Sequence, residues 1–175
     1  SVSTELHSPA DCAGLKLRTL ASDDHQRVFR ALGFQPMAID VRDLPDAVAS
    51  GRVDAQENPL TNTFNFGINE HHRWITMSGH FFGPCVVLAH KKTWDTWPED
   101  VRNAVQAALA EATPAQRGFA AAEDEAIKSR MDPGQNELIE LSEDERAAFV
   151  SAVAPVVERT MSQFRDELFE YLSRG

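Results

Sequence analysis

The side chains best suited to chemistry sit at a few points of the sequence. Glu70, His71 and His72, with His80 further on, combine imidazole and carboxylate ligands of the kind that hold zinc. Adjacent residues on a helix or strand point in different directions, so His71 and His72 do not readily share one ion. The His-Glu-x-x-His spacing of zinc proteases is also absent. The simpler expectation is solvent-facing histidines near a helix end, with His80 partly buried; a metal-dependent hydrolase using Glu70, His71 and His80 stands as the alternative. Asp23-Asp24-His25 brings an acid and a base together, yet two carboxylates in a first helical turn are accounted for by the positive helix end. Ser78-Gly79-His80 lacks a nucleophile elbow, and no glycine-rich phosphate loop occurs. Cys85 lies in an apolar run where a thiol is inert. No catalytic residue, metal or cofactor is expected from these groups.

Two other points suit the binding of an anion. Arg18 ends a short strand, and the chain then turns into a helix beginning near Ser22. Open α/β sheets bind ligands at the carboxyl ends of their strands, where a guanidinium can grip a carboxylate through two parallel hydrogen bonds. A surface ion pair is the plainer account of Arg18 taken alone. In Gln56-Glu57-Asn58-Pro59, the proline restricts Asn58 to extended backbone and so fixes the direction of its amide. That amide can donate to a carboxylate and accept from a hydroxyl; equally, it can stabilise its own turn.

The elements that must position these residues alternate. Residues 14–18 read as a strand. Ser22 caps a helix whose apolar face is Val28, Phe29, Ala31 and Leu32, with Gly33 past its end. Residues 36–41 read as a second strand and 43–50 as a helix with Leu44, Ala47 and Val48 inward. Val53 opens a strand leading into Asn58-Pro59, and residues 60–70 follow as a helix weakened by Gly67. Residues 73–78 and 84–90 read as strands, the second as one buried on both faces because Cys85–Ala89 is continuously apolar. From Pro98, placed at the first helical position, a long helix carries the stripe Val101, Val105, Ala108, Leu109 and Ala112, with a kink expected at Pro114. Met131–Asn136 is a turn, residues 136–141 a strand, and Ser142 with Glu145 a capping box. The last helix then carries Phe149, Val153, Val156, Val157, Met161, Phe164 and Leu168, with a bend at Pro155.

Composition narrows the possibilities further. The 175 residues include 42% apolar and 25% charged side chains, the mix of a globular domain or of one lobe of something larger. A net charge of −10 argues against a nucleic-acid partner. No stretch approaches the roughly 18 apolar residues of a spanning helix. Cys12 and Cys85 are read as free buried thiols, with one disulfide between them as the alternative, and the polar opening SVSTELHSPAD as lacking a signal peptide.

Taken together, these segments resemble the DctP-type solute-binding proteins of tripartite ATP-independent periplasmic (TRAP) transporters. SPADCAGLKLRTLAS resembles their S-x-x-D-x-x-G-x-K-x-R segment, and the stretch ending VDAQENPL resembles their V-D-G-Q-E-N-P signature, with Ala55 in place of glycine. ITMSGHFFGPCVVLAHKKTWDTWPEDV and ELSEDERAAFVSAVAPVVERT resemble two further regions, in order, so the likeness covers nearly the whole chain.

The resemblance implies a periplasmic-binding-protein-like type II lobe, α/β, with a short mixed sheet, a long kinked helix and a C-terminal helix. It implies that the first lobe is largely missing, since members are roughly twice as long. Residues 1–80 would form the second-lobe unit carrying the ligand residues and 81–97 a crossover strand toward the first lobe. Residues 98–131 would be a lobe-spanning helix and 132–175 a strand and helix packing back. By the same resemblance, Arg18 forms the salt bridge to a small organic acid, Asn58 also contacts it, Val41 stands where some members place an aromatic ring, and Phe81 and Phe82 supply apolar cleft surface. The implied partner is a TRAP membrane permease and the implied location the periplasm. A lobe lacking its mate is expected to form a homodimer or exchange elements; a stand-alone interaction module is the remaining alternative.

Overall fold

The computed structural model describes the chain except residues 2, 82, 84, 166–168 and 170–175. Two compact units emerge, one of residues 1–78 with 132–175 and one of residues 79–131.

The larger unit is built on a three-stranded parallel sheet of order β2-β1-β3. Its strands are β1 (Lys16–Thr19), β2 (Gln35–Ala38) and β3 (Ala55–Gln56). Helix α1 (Asp23–Ala31) joins β1 to β2, and α2 (Leu44–Ala49) joins β2 to β3. The first crossover steps to one side of β1 and the second steps back past it, so right-handed connections put the two helices on opposite faces. The packing agrees. Leu17 and Ala55 join Phe29, Leu32, Phe34 and Cys12 in one apolar cluster. Met37 packs against the other, formed by Ile39, Leu44, Ala47, Val48, Val53 and Ile68. Ser22 caps α1, its hydroxyl accepting the His25 N–H, and Gly33 takes the left-handed conformation (φ 95°) that ends it.

A second, two-stranded parallel sheet pairs β4 (Trp74–Met77) with β5 (Glu137–Glu140), in register from Trp74 opposite Glu137. Among the described residues the strands pair only in parallel, where a short mixed sheet was expected. The helix expected over residues 60–70 stops at α3 (Leu60–Asn65), because Gly67 adopts φ 67° and a short 3-10 turn, Ile68–Glu70, follows. That turn carries the chain inward, and Asn136 Nδ2 donates to the Asn69 and His72 carbonyls at 2.7 and 3.0 Å. His72 is consequently buried, and burial pushes its imidazole down to about 3, whereas His80 is exposed. Both positions reverse the expectation from sequence. Helix α6 (Glu143–Met161) starts on the expected capping box and packs Phe149, Ala152 and Val153 against the α1-side cluster. It runs through Pro155 as one helix; Leu168 lies outside the described residues.

The smaller unit contains α4 (Lys91–Thr96) and α5 (Glu99–Lys128). Pro98 caps α5 rather than opening it, and the helix continues through Pro114. Of its expected stripe, Val105 and Leu109 are half-buried while Val101, Ala108 and Ala112 are exposed. The strand expected over residues 84–90 is absent from the described part of that segment, and the run is not buried: Leu88 is 86% exposed. A strand is made by a neighbour that takes its backbone hydrogen bonds, and this unit holds no other strand among its described residues. Cys85 is accordingly exposed, against the expectation of a buried thiol, while Cys12 is buried; neither forms a disulfide.

Candidate functional site

The carboxyl ends of the parallel strands converge at the middle strand. Arg18 is the in-register neighbour of Met37 on one side and of Gln56 on the other. In a pleated sheet these three side chains share a face, the one opposite Leu17 and Ala55. Gln56-Glu57-Asn58-Pro59 begins at this point, so the two separate sequence signals, Arg18 and Asn58, meet at one sheet edge. The strand order also reverses here, which leaves an opening between neighbouring connections.

Arg18 is only 2% exposed. Its Nε–H donates to the Ile39 carbonyl at 2.9 Å, which fixes the plane of the guanidinium. No ion pair to Arg18 forms among the described residues. Burial disfavours its charge; the carboxylates of Glu57 and Asp40, at longer range, favour it. Asp40 is engaged elsewhere: Arg42 donates to it through Nε and Nη2 at 3.0 and 3.3 Å and holds its carboxyl down to about 2.

Asn58 is half-buried and its Nδ2 donates to Gln56 Oε1 at 2.5 Å. Gln56 Nε2 in turn donates to Thr63 Oγ1 at 3.3 Å, and that hydroxyl donates to the Pro59 carbonyl at 3.2 Å. This chain of amides and hydroxyl ties the loop to the start of α3 and aims the Asn58 amide. On the α1 side, Glu57 Oε1 lies 3.8 Å from His25 Nδ1, with side-chain exposures of 12% and 14%. The His25 ring meets Phe29 edge-on, centroids 5.4 Å apart. Thr19, next to Arg18, is fully buried, and its hydroxyl makes no hydrogen bond among the described residues.

Of the residues expected to bind ligand, Arg18 and Asn58 are thus brought together. Val41 lies in a 3-10 turn, Val41–Asp43, just past the end of β2, and is exposed. Phe81 is exposed and belongs to the smaller unit, and Phe82 lies outside the described residues. Glu70, His71 and His80 do not assemble: among the described residues no three metal-ligating side chains come together. Sequence reasoning weighed His25 with Asp23 and Asp24 as an acid–base group and set it down to an acidic helix start, and it did not single out Glu57 or Thr19. Only the crossing of α1 beside the end of β3 brings His25 to Glu57, and their separation in sequence carries no sign of it.

Comparison with known proteins gives a consistent result. Residues 1–163 match the family described as bacterial extracellular solute-binding protein, family 7. A C4-dicarboxylate-binding periplasmic protein, DctP, of Rhodobacter capsulatus is 36% identical over 157 residues, 89% of this chain and 47% of that protein. A TRAP periplasmic solute-binding protein of Shewanella oneidensis, solved with bound succinate, superposes with a TM-score of 0.84 at 28% identity, covering 97% of this chain and 56% of that one. A counterpart from Sulfurospirillum deleyianum, also with succinate, gives 0.85 at 26% identity over 99% and 57%. This chain therefore spans about half the length of the relatives it matches. The buried arginine and the Asn58 loop at the ends of parallel strands, with a family match over nearly every residue, make this chain a member of the DctP family of bacterial extracellular solute-binding proteins.

Proposed function

We propose that this chain supplies one wall of a periplasmic receptor that binds a small organic acid and delivers it to a TRAP membrane permease. The observation that carries this reading is the state of Arg18: a guanidinium 2% exposed, at the end of the central strand, with no carboxylate in contact among the described residues. A buried cation without a contact anion is costly, and a ligand carboxylate at the two Nη nitrogens offsets that cost. Asn58, held in place by Gln56 and Thr63, supplies a second donor to the same group. Polar ligands of this kind bury little apolar surface, so affinity comes from charge-assisted hydrogen bonds in a site closed from water. The relatives extend well beyond the matched region, and we propose that a lobe of that kind closes over the acid. In this scheme residues 1–80 carry the ligand contacts. Residues 81–97 cross toward the facing lobe, residues 98–131 span the two, and residues 132–175 pack back on the first of these regions. Phe81, Phe82 and Val41 line the cleft. Where no facing lobe covers it, the apolar run at Val86–Leu88 is the surface through which two copies associate or exchange elements.

The direct test is calorimetry with succinate and L-malate on the protein as the cell makes it. Arg18→Gln is expected to weaken binding by about a hundredfold or more, as loss of a buried charged partner does. Affinity unchanged by that substitution rejects the reading.

A further inference from the structure

The direction in which the amides beside Arg18 are bonded decides what the site can read next to a carboxylate. Gln56 is the in-register neighbour of Arg18, so their side chains leave the same face of adjacent strands, about 4.8 Å apart. A carbonyl only accepts, so the Thr63 hydroxyl, 3.2 Å from the Pro59 carbonyl, donates to it and keeps its oxygen as an acceptor. Gln56 Nε2 donates to that oxygen at 3.3 Å, which turns Gln56 Oε1 toward Asn58. Asn58 Nδ2 in turn donates to Oε1 at 2.5 Å. Thr63 is buried on α3, so the order of bonds starts from a fixed end. One N–H of Asn58 is thereby committed. Its second N–H and its carbonyl Oδ1 remain, and neither is bonded among the described residues. Bonded the other way round, the amide would offer two N–H donors and no acceptor.

We propose that Thr63 and Gln56 are positioning residues that make Asn58 a reader of a hydroxyl on the carbon next to the ligand carboxylate, so that the receptor takes 2-hydroxy acids ahead of their unsubstituted, 2-oxo and 2-amino counterparts. This deepens the receptor reading and rests on it. The Arg18 Nη nitrogens and the remaining Asn58 N–H donate to the carboxylate, and the 2-hydroxyl donates to Asn58 Oδ1. An unsubstituted acid strips Oδ1 of water and leaves it without a donor, and a 2-oxo acid sets a second acceptor against it. A 2-amino acid brings a donor, but its ammonium would stand beside the Arg18 guanidinium, like charge against like.

Calorimetry on the protein as the cell makes it, with L-malate, succinate and L-aspartate, reads this directly, because the three diacids differ only in the hydroxyl, hydrogen or ammonium beside one carboxylate. L-malate is expected to bind roughly fivefold or more tighter than succinate, the scale of one hydrogen bond, and tighter than L-aspartate. Thr63→Val is expected to remove most of the malate-to-succinate ratio, and Thr63→Ser to restore it. A loss of packing alone would lower both affinities and leave the ratio where it was. Should Thr63→Val not fold, Gln56→Met cuts the same relay at a half-buried position and is expected to level the two acids as well. Wild type that binds succinate as well as L-malate, that prefers L-aspartate, or that binds none of the three overturns the proposal, as does a ratio that survives the substitutions. If Arg18→Gln weakens every acid bound while the wild type draws no distinction between malate and succinate, only this inference fails; if Arg18→Gln binds normally, the receptor reading fails first.

Discussion

Single side chains in this protein are governed by what surrounds them more than by their type. Cys12 is buried in the α1-side cluster, and burial pushes its thiol up to about 12. Cys85 shares its chemistry but lies on the surface. Since the thiolate is the reactive form, an aromatic disulfide reagent is expected to label one thiol of the native chain rapidly and the second only after denaturation. Rapid native labelling of both would place Cys12 outside the core. The same contrast separates His72, buried beneath the Asn136 bridge, from its neighbour His71 at the surface. Two histidines adjacent in sequence therefore offer no shared site.

Between elements, the first turn of α6 acts as a fastening point. Glu145 completes the capping box with Ser142 and also meets His7 Nδ1 at 2.8 Å, while His7 Nε2 meets Glu5 at 2.9 Å. Arg146 donates to the Ser78 carbonyl, where β4 has just ended. Glu5, then Glu145, raise the His7 imidazole above its ordinary value of 6.5. The Ser142 backbone N–H, then the Ser142 hydroxyl and His7, hold Glu145 below its ordinary 4.5. A raised histidine contributes stability that is full below 6.5 and lost as pH climbs through its folded value. A lowered carboxylate contributes stability that is full above 4.5 and lost as pH falls through its folded value. The fastening is thus strongest between those two limits. Thermal midpoints of the wild type and His7→Gln should differ by about 1–3 °C near pH 5.5 and converge above pH 8. A constant difference at all pH values would show that His7 acts by packing alone.

Across the whole molecule, the exposed run Val86, Val87 and Leu88 is the feature least compatible with an isolated chain. An exposed apolar run that includes two β-branched residues, Val86 and Val87, is a ready template for another strand. Light scattering on the 175-residue chain is expected to show concentration-dependent association, and Val87→Lys is expected to reduce it at least severalfold. A monomer at high concentration, unaffected by the substitution, would contradict this.

Much of the architecture is written in local pattern. Ser22, Gly33, Gly51 and the Ser142–Glu145 box mark helix ends through capping and left-handed backbone, effects that operate within a few residues. Arg18 and the Gln56–Pro59 motif could be paired from sequence because family motifs preserve their order. Other features depend on contacts between distant segments. The apolar run Cys85–Ala89 has strand character, yet a strand exists only where a neighbour takes its hydrogen bonds. The depth of Arg18, the inward turn of His72 and the pairing of His25 with Glu57 follow from how α1, β3 and the Asn136 bridge cross in space. By itself the sequence determined the helix ends, the alternation of elements and the family; only tertiary structure decided which charges are buried and which of them face one another, because burial and Coulomb energy depend on distance through space and not along the chain.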